Sequence, residues 1–220
     1  MSNILKRFFG PRVPATVSQE ERRQYLLPSL LFVTAAFLLL ISIFLPYWKM
    51  TLLAPQYPGG LEFITYVNHL EGDVAEIDGL NHYIGMRPLG EAAMLERSLS
   101  ILAIGTLALL VGAALFIHTK YVTVLVFPAI VYPFIFLGDM YYWMRTFGLN
   151  LDPAAPLSSS IKPFVPPILG EGMVAQFRTI AAVQSGFYLA ILASALIIVG
   201  LYFHRRAYKP LVEQNSIADE

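Results

Sequence analysis

The chain has 220 residues, 56% of them hydrophobic and 14% charged, with a mean hydropathy of +0.60, which excludes an ordinary soluble domain and points to a membrane protein. Lys plus Arg and Asp plus Glu balance at 15 each, so no net positive charge is available to recruit a nucleic acid. There is no cysteine, which removes disulfides, thiolate metal sites, iron–sulfur clusters and c-type haem attachment.

Residues 1–26 read as a basic cytoplasmic arm in which Ser18 and Glu21 are spaced as a capping box for the helix that follows. Apolar stretches at 27–48, 98–118, 121–144 and 179–203 have about the 20-residue length a helix needs to cross a bilayer. The first exceeds the apolar run of a signal peptide and lacks a small-x-small cleavage pattern, so it reads as a retained span. Tyr47 and Trp48 at its end read as interfacial anchors.

Residues 49–97 form the larger outer loop. "APQYPGG" is a turn, "LEFITYVNHL" has the β-branched and aromatic content of a short strand or strand pair, and a helical pattern begins near Asp78. The second span carries Gly105 and Gly112, which offer small faces for close helix packing. "HTK" at 118–120 permits only a tight turn, so spans two and three form an antiparallel hairpin. Pro128 and Pro133 lie in span three. Asp139 at its outer end is expected to pair with Arg145 or Arg178 rather than to relay protons. Residues 145–178 are proline-rich and read as an irregular packed loop. His118 and His204, beside basic residues at the ends of spans two and four, read as helix-end anchors rather than haem ligands, and 204–220 form a tail.

Lys6, Arg7, Arg12, Arg22 and Arg23 precede the first span, Lys120 sits in the tight turn, and Arg205, Arg206 and Lys209 follow the fourth. The two longer connections are poorer in Lys and Arg for their length, so the positive-inside rule puts both outside and both termini in the cytoplasm. The expected fold is an all-α membrane protein, four transmembrane helices with a small extracytoplasmic cap, including short strands, built from two outer loops.

The segment "EIDGLNHYIGMRPLGE" (76–91) holds the main candidate chemistry. On a helix Asp78, His82 and Met86 fall at i, i+4 and i+8 and share one face. Imidazole with thioether suits copper, Cu(I) above all, and Asp78 is placed to ligate or to orient the imidazole. His69 is the other outer-loop histidine, and Met50, Met94, Met140, Met144 and Met173 lie near the outer interface, where several are placed to complete a site. The competing reading has Asp78 as a helix cap, His82 hydrogen-bonded in a packed loop and Met86 in the core. Glu71, Asp73, Glu76 and Asp78 lack the order of a calcium loop. No phosphate loop, nucleophile elbow or zinc helix is present, so no enzymatic activity is expected.

"LLAPQYPGGLEF", "LEGDVAEIDGLNHYIGM" and "LGEAAMLE" resemble small multi-span bacterial membrane proteins associated with gene neighbourhoods for copper delivery and nitrous oxide reductase maturation. The shared pattern is Ala54, Pro55, Tyr57, Pro58, Gly60, Leu61, then Gly72, Asp73, Val74, then 79–86. It covers the first outer loop and its flanks. The resemblance implies a bacterial inner-membrane location and a copper-handling accessory protein, binding metal through His82, Met86, Asp78 and His69 and serving a periplasmic cuproenzyme or copper chaperone. The alternative is a structural subunit of a larger, respiratory membrane complex that uses the same loop for docking. A permease ranks below both, because there is no internal repeat or midplane charge.

Overall fold

The computed structural model describes residues 9–10, 19–174 and 177–218. Its helices are α1 (Gln19–Ser42), α2 (Val74–Ile84), α3 (Met94–Ala113), α4 (Tyr121–Leu149) and α5 (Ser185–Ala218), and its strands are β1 (Trp48–Ala54), β2 (Tyr57–Thr65), β3 (Leu70–Gly72), β4 (Gly170–Val174) and β5 (Phe177–Val183). Four helical segments, Arg22–Ser42, Met94–Phe116, Tyr121–Leu149 and Ser185–Glu213, are long and apolar enough to cross a membrane. The protein is thus a multi-pass membrane protein, mostly helical, with a small antiparallel sheet. The proposed capping box lies outside the described residues.

The chain divides into two compact units. The helical unit takes residues 1–41, 103–133 and 189–220. Its interior is built around small side chains, with Ala35, Ala108, Ala129, Ala190 and Ala193 all buried. Small residues let backbones approach closely where the lipid offers no hydrophobic drive to associate. A Cβ at Gly200 would lie 2.9 Å from the Phe32 ring, and Ser194 Oγ donates to the carbonyls of Ala190 (3.0 Å) and Ala129 (3.3 Å). Gly105 and Gly112 do not serve this purpose: a Cβ at either would meet nothing within 4 Å. Leu30, Phe37, Leu109 and Val124 are exposed, as lipid-facing side chains are.

The sheet unit takes residues 42–102 and 134–188. Its five strands run in the order β3-β2-β1-β5-β4, every neighbouring pair antiparallel. On β1, Trp48, Met50 and Leu52 alternate inward, joined by Leu61 and Phe63 of β2 and by Phe177 and Ala181 of β5. This is the period of two that buries one face of a sheet. Helix α2 turns Ile77, Asn81 and Ile84 inward, and Ile77 joins the same core. On the outward face Lys49 Nζ reaches Glu62 Oε1 at 2.7 Å.

Several expectations change here. The all-α assignment gives way to helices plus a sheet. The first helix ends at Ser42, and Tyr47 and Trp48 are not interfacial anchors: both are fully buried, with Trp48 Nε1 donating to the Ile168 carbonyl at 2.6 Å. Hydropathy cannot separate a span from an adjoining core strand when both are apolar. The same ambiguity hides β5, whose last residues merge with the fourth span in hydropathy, and with β4 it takes over the end of the expected irregular loop, which remains without helix or strand over 150–169. Arg178 pairs with Glu171, and among the described residues no ion pair joins Asp139 to Arg145 or Arg178.

Candidate functional site

The chain enters α2 through a lock between Gly72–Asp73 and β2. Asp73 N–H donates to the Glu62 carbonyl at 2.7 Å, and Glu62 N–H donates back to Asp73 Oδ2 at 2.9 Å. Gly72 has φ of 94°, and a Cβ there would collide with the same carbonyl. The helix therefore begins at Val74, four residues before Asp78, and Asp73 takes the N-cap position.

It ends just as sharply. Gly85 adopts the left-handed conformation with φ of 82°, its N–H and that of Met86 closing on the carbonyls of His82 (3.4 Å) and Asn81 (2.9 Å). Only glycine takes that conformation without cost. The turn is also gripped from outside: Asp152 N–H donates to the Gly85 carbonyl (2.8 Å) and Leu157 N–H to that of Tyr83 (3.0 Å).

These termini separate the expected ligands. Met86 lies beyond the helix and is buried, 6% exposed, whereas His82 is exposed. Asp78 Oδ1 accepts the Leu89 N–H at 2.7 Å and so fastens the following loop to α2. His69 sits on the β2–β3 turn, its Nδ1 2.8 Å from Asn68 Oδ1 and its Nε2 3.1 Å from Glu71 Oε1, with its ring 4.3 Å over that of Tyr66. Asp78, His82, Met86 and His69 do not form one ligand set. The eight-residue spacing assumed a helix that Gly85 stops. Among the described residues no group of three or more His, Asp or Glu side chains is arranged to hold a metal.

What Met86 does join is a small cavity of about 20 Å³ inside the sheet unit, lined by Met50 of β1, Met144 of α4, Asn81 and otherwise apolar side chains. That is room for about one water molecule. Asn81 is 4% exposed, and its Nδ2 has no partner among the described residues. Nothing in the sequence marks Asn81, because a single amide in a helix declares neither burial nor orientation. Met94 and Met173 are exposed and take no part, while Met140 packs against the core from its edge.

Charges around the sheet are modest. Lys49 beside Glu62 holds that carboxyl below the usual carboxylate range, assisted by Thr51 Oγ1 at 3.1 Å. Desolvation, with Glu71 nearby, pushes the Tyr66 hydroxyl up. Both are rim features, and exposed pairs of this kind contribute about 0–1 kcal/mol. Comparisons of the chain with protein-family models, with curated proteins and with solved structures find no match.

Proposed function

We propose that the chain is a non-catalytic membrane subunit whose sheet unit forms an extracytoplasmic cap and docks a partner protein through the outward side of α2. One observation carries this reading. Three polar groups of the 72–86 segment are spent inside the fold, Asp73 on β2, Asp78 on Leu89 and the Gly85 carbonyl on Asp152, while the neighbouring side chains His82 and Tyr83 stand out from the helix, Tyr83 at 55% exposure. An aromatic beside an imidazole on a rigid helix is the composition of an interface anchor. The test is purification in mild detergent with the parent and a His82→Ala, Tyr83→Ala double variant. The expected result is one stoichiometric partner lost from the variant at unchanged helical content. A partner retained equally by both overturns the reading.

The Met-lined cavity favours a second reading, copper handling for a periplasmic cuproenzyme or its chaperone. Three thioethers around one void are soft donors suited to Cu(I). On this reading Met50, Met86 and Met144 would be the ligands, and His82 would not. Met→Leu conserves volume in a core, so a triple Met50→Leu, Met86→Leu, Met144→Leu variant isolates ligation from packing. It should lose one equivalent of Cu(I) under chelator competition, whereas His82→Ala should keep it. Equal copper retention by parent and triple variant rejects this reading.

A further inference from the structure

The helical unit contains a cluster that neither reading uses. His118, in the turn before α4, and His204, on α5, bring their ring centroids to 6.0 Å, 30° from parallel. Tyr208, one turn beyond His204, lies parallel to the His118 ring at 4.1 Å and 4.7 Å from the His204 ring, and Tyr25 closes against Tyr208 edge-on at 5.2 Å. The Phe9 carbonyl accepts the His118 N–H at 2.8 Å. His204 is 5% exposed.

Two buried ring nitrogens are left over. His118 Nδ1 and His204 Nε2 have no hydrogen-bond partner among the described residues, although buried polar atoms are normally satisfied. A metal–nitrogen bond of about 2 Å, with roughly 1 Å more to each ring centre, lets two imidazoles sharing one ion stand up to about 6 Å apart. The observed separation fits.

The ligand set also selects the ion. Both donors are neutral, and apart from Glu213, which pairs with Lys209, no described side chain of this unit carries a carboxylate. A divalent ion such as zinc would seek four ligands and charge compensation, whereas Cu(I) suits imidazole and needs less of either. We propose that His118 and His204 form a two-imidazole site for one monovalent d10 ion, Cu(I) in the cell and Ag(I) as its redox-silent probe. The site shares no residue with the Met-lined cavity and stands or falls apart from both readings above.

The full-length protein in mild detergent is loaded with Ag(I) or Cu(I) and examined by X-ray absorption and chelator competition. A two-nitrogen shell with imidazole scattering is expected. Affinity should be more than about tenfold weaker in His118→Phe and in His204→Phe, variants that preserve a ring against Tyr208. The unsubstituted protein offers a second measurement that does not depend on variant folding. It has four histidines, and Ag(I) should move the side-chain nitrogen resonances of His118 and His204 while leaving His69 and His82 in place. A sulfur-only shell, unmoved His118 and His204 resonances, or parental affinity in both variants overturns the site.

Discussion

Gly85 shows how much one backbone conformation decides. A methyl group there would face φ of 82° and lie 2.6 Å from the Asp152 carbonyl oxygen and 2.8 Å from its nitrogen. The left-handed conformation alone costs a non-glycine residue about 1–2 kcal/mol, and the backbone contact adds to it. Gly85→Ala should therefore lower stability by more than about 2 kcal/mol, read as an earlier thermal transition in detergent. Gly79→Ala, where a Cβ meets nothing within 4 Å, should have little effect. His118 supplies a pH dependence. Burial pushes its imidazole below the ordinary histidine value, so the folded state favours the neutral ring. That contribution to stability is full above the ordinary value and is lost as pH falls from there toward the folded one. The titration midpoint of His118 by NMR should lie below that of a free histidine, and His118→Phe should weaken the acid-side loss of stability. At this scale the sequence was readable for type but not for use. The sequence offers Asp78 as ligand or cap, whereas in the fold it clamps Leu89. Spacing puts Met86 on a helix that Gly85 ends, since it carries no information about a left-handed stop.

Among elements, β1 is the hub, hydrogen-bonded to β2 on one side and β5 on the other. Thr51 pairs with both Glu62 and Ile180. Proline at this position cannot donate to the ladder and its ring crowds the neighbouring strand. Thr51→Pro should cost on the order of 2–3 kcal/mol, observed as protease cleavage within residues 48–65 at concentrations that leave Thr51→Ala intact. The strand region of the first outer loop was legible because "LEFITYVNHL" is rich in branched and aromatic residues. Strand β5 was not. Its inward residues include Thr179 and Ala181, small side chains that flatten the alternation, and it runs straight into the apolar start of α5. Strand β4, "GEGMV", has two glycines and shows no strand preference; its pairing with β5 is a tertiary effect.

For the whole molecule, the four spans were the most legible feature because about twenty apolar residues in succession have few other uses. The shared sheet adds what hydropathy lacks: β1 belongs to the connection after the first span and β5 to the one after the third, so both connections lie on one side of the bilayer. The lysine and arginine distribution predicts that side to be the outer one. The cysteine-free chain is a ready background for testing this. A single cysteine at Ala75, exposed on α2, should react with an impermeant maleimide on intact spheroplasts, while one at Lys120, in the turn between the second and third spans, should react only after lysis. The reverse pattern would invert the topology.

The pairing of Trp48 with Val183 also sets a schedule for biogenesis. The partner of the central strand is made 135 residues later, which at synthesis rates of about 5–20 residues per second is a delay of roughly 7–27 s. Throughout that interval β1 and β2 can form only a hairpin, marginal by itself, with one edge of β1 bare on the side of the bilayer that holds both connections. A ribosome stalled between the second and fourth spans would expose a sticky, half-built sheet to any chaperone or protease waiting there. Quality control of this protein is therefore expected to act on the N-terminal half of the cap first.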